Sequence, residues 1–286
     1  MRRVTRPRHR LHPGGPVRIG VFDSGIGGLT VLAALDEAVP EHDLIYLGDT
    51  ARVPYGTRSP LTVRRYAQRV SSYLYGEGVD ILVIACNTAT AHALPALQKA
   101  GQEVGVPVFG VIEPGVTAAL AAHQGGPIAV LGTEGTIRGG AYQQALAQAR
   151  PDLDIRAIPC PLLVPLAEEG WTDGDVPRLV AERYLGHLRG HVQTVILGCT
   201  HYPLFRPVLS QVLPGVTLVD SASATAAVLR AHLGPPGAGQ GLRKYLVTDH
   251  VDRFTDVGER FLGKRPDPVS WVDLPAASGP FTETTG

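Results

Sequence analysis

The sequence is poor in cysteine, lysine, asparagine and long apolar runs, and each shortage excludes something. Its 286 residues hold three cysteines, Cys86, Cys160 and Cys199, far apart along the chain. An odd, widely spaced set is no disulfide framework and points to a reducing, cytoplasmic setting. There is no C-x-x-C pair for a dithiol redox site. Cys199-Thr200-His201 puts two potential metal ligands close together, but the paired clusters of a zinc site are missing, so no metal is expected. Three lysines (Lys99, Lys244, Lys264) stand against 23 arginines, which leaves few candidates for a Schiff-base lysine. The longest apolar runs, such as 81–86, are strand-length and well below the ~18 residues of a membrane span, so no membrane partner is expected. The only asparagine, Asn87, sits beside Cys86.

Charge balances at 26 basic and 26 acidic residues, but unevenly. Residues 1–16 carry Arg2, Arg3, Arg6, Arg8 and Arg10 and no acid, so the rest holds 21 basic against 26 acidic residues. A mildly acidic body argues against nucleic acid as a partner. The basic head reads as a disordered extension, and with no apolar region after Arg2-Arg3 it makes a poor export signal. With 44% hydrophobic and 18% charged residues, a chain of this length can build two cores.

Short apolar runs alternate with amphipathic stretches nearly throughout. Strands are expected at 17–22, 44–47, 81–85, 108–111, 128–131, 154–158, 194–197, 216–219, 245–247 and 269–272. Ser59-Pro60 reads as a cap and first position of a helix reaching about Gly76, and Asp175 with Pro177 opens another running to Gly190. Apolar strands alternating with helices imply an α/β fold with mainly parallel sheets, whose ligands bind beyond the carboxyl ends of the strands.

The pattern also repeats. DILVIACNTATAHALPAL (80–97) and QTVILGCTHYPLFRPVL (193–209) each run strand, small residue, Cys, two polar residues, then helix, with the cysteines 113 residues apart. Asp23 precedes Cys86 by 63 residues and Thr133 precedes Cys199 by 66. Two similar halves, each offering a thiol at a strand end, are expected to face one cleft. A thiol before a helix sits near backbone N–H groups, which predicts a lowered pKa. Two such thiols can remove a proton from one face of a carbon and return one to the other, inverting a stereocentre. Cys160, between two prolines in IPCPLL, reads as packing. His201 lies two residues from a candidate thiol, and Glu168 or Asp49 could orient a histidine or bind an ammonium. FDSGIGG (22–28) followed by Asp49 also approximates a dinucleotide-binding turn, as an NAD-dependent oxidoreductase would need, but Thr30 stands at the third glycine and Asp23 where pyrophosphate would approach.

Five motifs occur in one order: DSGIGGLTV (23–31), GDTARVPYG (48–56), ACNTAT (85–90), GVIEPG (110–115) and LGCTHYPLF (197–205). With them the chain resembles the cofactor-independent glutamate racemases of the aspartate/glutamate racemase superfamily, from about residue 17 to 271. Aspartate racemases share the two thiols and are the nearest alternative. The resemblance implies two α/β domains related by a pseudo-twofold, with the substrate between them. It implies no cofactor, D-glutamate supplied for peptidoglycan synthesis, glutamate as small-molecule partner, and a homodimer. It implies that Cys86 exchanges the D-glutamate α-proton, assisted by Asp23. Cys199 would exchange the L-glutamate proton, assisted by His201 with Glu168 nearby. Substrate contacts map onto Asp23, Ser24, Tyr55, Gly56, Asn87, Thr88, Thr200 and His201. Thr57, Arg58 and Gly139 depart from the common pattern outside these motifs. The expected domains are 17–111 with 222–272, and 112–221, flanked by the basic head 1–16 and a flexible tail 273–286.

Overall fold

The computed structural model describes residues 16–235, 237–277 and 279–281. The arginines of the basic head and residues 282–286 lie outside them. The chain runs β1 (Arg18–Asp23), α1 (Leu29–Ala38), β2 (Asp43–Gly48), α2 (Pro60–Gly76), β3 (Ile81–Ile84), α3 (Asn87–Val104), β4 (Val108–Gly110) and α4 (Ile112–Ala122). It continues with β5 (Ile128–Gly132), α5 (Glu134–Gly139), α6 (Ala141–Ala149), β6 (Ile155–Pro159), α7 (Leu163–Glu168), α8 (Asp175–Leu185), β7 (Thr194–Gly198), α9 (Arg206–Val212) and β8 (Thr217–Asp220). It closes with α10 (Ser221–Leu233), β9 (Arg243–Val247), α11 (Val251–Leu262) and β10 (Val269–Trp271).

Every apolar run expected to be a strand is one. They form a six-stranded sheet, β10-β9-β2-β1-β3-β4, and a four-stranded sheet, β6-β5-β7-β8. All neighbours are parallel. The central strands are buried along almost their whole length, which is why they read as continuous apolar runs. The order β2-β1-β3-β4 recurs as β6-β5-β7-β8. The internal repeat is therefore structural: Cys86 follows β3 and Cys199 follows the equivalent β7.

Apolar packing fixes how the halves meet. One cluster runs from β1 and α1 through β5 and β7 to α7–α9, α10 and α11, so the two sheets share a core. A second fills the space between the first sheet and α2 and α3, and a third the far side of the second sheet under α4 and α6. Each buried Val, Leu or Ile contributes roughly 1.5–3 kcal/mol, so the shared core presses the two strand-end edges together.

Local signals decide several boundaries. The Ser59 hydroxyl accepts the Thr62 N–H (3.3 Å) and Pro60 takes the first helical position, as expected. The helix opened by Asp175 stops at Leu185 rather than Gly190, because Gly186 starts a short 3-10 turn there. Of the segment expected as a tail, residues 273–277 and 279–281 are described. Leu274 and Phe281 are buried in the core beside α2 and α3, and Phe281 stacks on Tyr75 with ring centroids 6.0 Å apart. Two large apolar side chains recruit that segment. No helix among the described residues is long and apolar enough to cross a membrane.

Candidate active site

Both sheets turn their carboxyl edges to the same place. On the first sheet, β1 ends at Asp23 and β3 leads into Cys86. Asp23 is buried, and its Oδ2 accepts the Gly25 N–H (2.9 Å). Its Oδ1 is buried with no hydrogen-bond partner among the described residues. Cys86 caps α3, its sulfur accepting the Ala89 N–H (3.4 Å), and the same sulfur lies 3.6 Å from Ser24 Oγ. Asn87 and Thr88 form the first turn of α3 and are buried.

On the second sheet, β7 leads into Cys199, Thr200 and His201. No helix begins there. A 3-10 turn, Tyr202–Phe205, with Pro203 in its first turn, precedes α9, which has Pro207 in its own. The repeat thus breaks at this point: Cys86 has a helix N-terminus, whereas Cys199 has a histidine. His201 Nδ1 lies 3.8 Å from Cys199 Sγ and 3.4 Å from Thr200 Oγ1, and its Nε2 is 3.2 Å from Glu168 Oε1. The Phe261 ring packs against the imidazole nearly at right angles, centroids 5.1 Å apart.

The two walls touch directly. Thr30 Oγ1 donates to the Thr200 carbonyl (3.1 Å). A Cβ on Gly27 would overlap Thr200 Oγ1 and the His201 ring, so only glycine allows this approach. Thr88 Oγ1 stands 3.0 Å from the hydroxyls of both Thr133 and Thr136, which are 3.1 Å apart. Tyr142 OH donates to Asn87 Oδ1 (2.7 Å) and lies 2.8 Å from Ser221 Oγ. That bond fixes the oxygen of the Asn87 amide. Tyr55 and Gly56 are buried in the turn packed against Thr133 and Gly135.

Burial sets the electrostatics. It pushes the Cys86 thiol up to about 12, the Asp23 carboxylate adds to this, and the Ala89 N–H and Ser24 hydroxyl offset only part. The lowered pKa expected for this thiol is therefore not found: desolvation outweighs the helix N-terminus. Asp23 is raised as well, by burial, against the Gly25 N–H and the charge of His201. His201 goes the other way. Burial alone would depress it, but Cys199 and Glu168, through hydrogen bonds and charge, push it up to about 10. Burial would raise Glu168, yet His201 and Arg253 hold it below its ordinary value. At neutral pH the cleft thus holds a protonated Cys86 and a cationic His201 bridging Glu168 and Cys199. The two thiols thus sit in different settings, Cys86 beside Asp23 and Ser24, and Cys199 beside the His201–Glu168 pair.

Residues 19–229 match the family described as Asp/Glu/Hydantoin racemase. The chain belongs to this family. It is 49% identical over 265 residues to a glutamate racemase of Geobacter metallireducens, covering 90% of this chain and 97% of that one. The fold is similar to the crystal structure of glutamate racemase from Thermus thermophilus in complex with β-chloro-D-alanine, with TM-score 0.80 and 42% identity over 92% of this chain and 98% of that one. It is also similar to the glutamate racemase of Francisella tularensis in complex with D-glutamate, with TM-score 0.83 and 34% identity over 92% and 99%. The resemblance carried by the five motifs is borne out.

Asp23, Ser24, Cys86, Asn87, Thr88, Cys199, Thr200, His201 and Glu168, with Tyr55 and Gly56, lie along the line where the two walls meet. Asp49 does not face it. Its carboxylate is buried between Tyr55 OH (2.6 Å), Arg52 (2.7 Å) and Thr248 Oγ1 (3.0 Å), which occupies the acid that a ribose would need. Cys160 is buried beneath Tyr202, whose hydroxyl donates to its carbonyl (2.8 Å), in keeping with packing. Among the described residues no group of three or more His, Cys, Asp or Glu side chains could hold a metal ion. The sequence reading missed Thr136, Tyr142, Ser221 and Phe261, and took Thr133 only as a repeat position. The Asp23–Thr133 correspondence was the one available signal for the threonine cluster.

Proposed function

We propose that this chain interconverts L- and D-glutamate by exchanging the α-proton between two thiols on opposite sides of the cleft. The observation that carries the reading is the pair of equivalent strand-end cysteines, one a buried thiol beside Asp23 and the other paired with the Glu168–His201 dyad. The D-glutamate held by the Francisella tularensis relative supports the substrate.

In the L-to-D direction the Cys199 sulfur takes the proton from Cα. The electron pair left behind delocalises into the α-carboxylate, and Cys86 S–H delivers its proton to the opposite face. The D-to-L direction uses the same groups in reverse. Developing charge needs fixed donors in a dry site. The Asn87 NH2 and the hydroxyls of Ser24, Thr88 and Thr200 would supply them. Asp23, with one oxygen unpartnered, would meet the substrate ammonium or pass a proton to Cys86. His201, charged below about pH 10, gives the Cys199 sulfur a cation whenever it loses its proton.

Protein dialysed against chelator is expected to erase the optical rotation of L-glutamate in heavy water, with deuterium entering at Cα of the inverted product. No inversion and no exchange would overturn the reading. Conversion of L-aspartate at a comparable rate would move it to the neighbouring specificity. The D-glutamate formed would serve peptidoglycan synthesis in the cytoplasm, a compartment supported by three free, buried cysteines. The proposed assembly is a homodimer, to which the exposed apolar residues Leu162, Trp171, Val176 and Leu179 lend support. Light scattering is expected to give about twice the 30.3 kDa chain mass.

A further inference from the structure

Helix α11 lies beyond residues 19–229, the stretch matched to the racemase family, and between two strands of the first sheet. It nevertheless reaches the dyad on the second sheet at three points. Arg253 NH2 is 3.5 Å from Glu168 Oε2, the carboxylate oxygen that His201 does not use. Arg260 NH1 donates to the Glu168 carbonyl (2.8 Å). Phe261 packs its ring against that of His201. The chain makes room for this: Gly170, just after α7, has φ +78, and a Cβ there would sit 2.8 Å from the Arg260 guanidinium carbon.

The geometry points to Arg253 as a positioning residue for the Cys199 half of the reaction, acting through Glu168 and His201. The inference rests on the two-thiol reading and deepens it. Arg253 touches neither thiol. It holds the second oxygen of Glu168, which keeps the first aimed at His201 Nε2, and this in turn fixes the ring whose Nδ1 faces Cys199. Arg260 anchors the backbone beneath Glu168, so the carboxylate is held from both ends.

The charged groups facing this arm are few. Glu168 meets His201 and Arg253, with Arg260 on its carbonyl; Glu169 also contacts Arg253 (3.7 Å); His201 meets Cys199 and Glu168 and senses Asp23. Arg253 is one of the groups that hold Glu168 below its ordinary value. Its loss therefore raises Glu168, which protonates at higher pH and stops supporting the imidazolium. The acid limb of the rate profile moves up.

The test uses the full chain with wild type, Arg253→Met, Arg253→Lys and, as control, Arg265→Met, which breaks the exposed pair between Arg265, just beyond α11, and Asp256 on that helix. Initial rates are measured with protiated and α-deuterated substrate from both enantiomers. Because the enantiomers are equal in energy, kcat/KM must fall equally in both directions, about 2- to 5-fold for Arg253→Met. The isotope effects separate the halves. The Cys199 step becomes more rate-limiting, so the primary isotope effect rises for the enantiomer that Cys199 deprotonates and falls for the other. Arg253→Lys keeps the charge and stays within about 2-fold of wild type, and Arg265→Met changes nothing. A general loss of folding would lower both rates and leave both isotope effects where they were, and that result, or an Arg253→Met enzyme identical to wild type, overturns the inference. A wild-type protein that neither inverts nor exchanges glutamate removes the reading beneath it instead.

Discussion

Cys86→Ala and Cys199→Ala are each expected to lower kcat/KM for glutamate inversion by about 10²- to 10⁴-fold, the range for removing a positioned acid or base. Either substitution should leave the fold intact, because each removes one buried sulfur at a strand end rather than a large core side chain. The losses should be equal for the two directions, since the equilibrium constant between enantiomers is one. The residual chemistry should differ. With Cys199 removed, the remaining thiol can take the proton from D-glutamate and return one to the same face, so any α-deuterium exchange is confined to D-glutamate. With Cys86 removed it is confined to L-glutamate. Proton NMR in heavy water reads both. Full inversion by either variant would exclude the two-thiol scheme, and exchange of both enantiomers by one variant would place a second base elsewhere in the cleft.

Gly27→Ala is the second change with a large expected effect. The added methyl has no room: it overlaps Thr200 Oγ1 and the His201 ring, which belong to the other sheet. One side must move, and the Thr30–Thr200 bond (3.1 Å) that pins the two walls goes with it. A displacement near 1 Å between reacting groups costs roughly 10²-fold in rate. The expected outcome is a kcat about 10²-fold lower with an unchanged far-UV circular dichroism spectrum. Gly28 cannot serve as a control, since a Cβ there would meet Asp23. Gly76 serves: nothing lies within 4 Å of a Cβ built there, and Gly76→Ala should leave kcat unchanged. A Gly27→Ala enzyme with wild-type kcat would show that the two walls need not stay in contact for turnover.

The fold was legible from the sequence because its signals are local. Each strand is a continuous apolar run, and such runs need cover on both faces. The Ser59-Pro60 cap and the matched Cys units are likewise written within a few residues. The polar residues flanking each thiol were legible for the same reason: Ser24, Asn87, Thr88, Thr200 and His201 lie one or two places from a strand end, and a parallel sheet puts all its carboxyl ends on one side.

What the tertiary structure alone decided is everything that depends on which distant groups become neighbours. The sign of the Cys86 shift is one case. A helix N-terminus is visible in sequence, but complete burial beside Asp23 is not, and burial won. The burial of Leu274 and Phe281 is another, since two apolar side chains near the end of the sequence give no sign of the surface awaiting them. The dyad is the clearest. Glu168 and His201 are 33 residues apart, and Arg253 is 85 from Glu168. No local pattern links them, because their contact is made by two sheets closing on a shared core. The residues gathered at the strand ends were thus set by the sequence, and their surroundings and alignment by that closure.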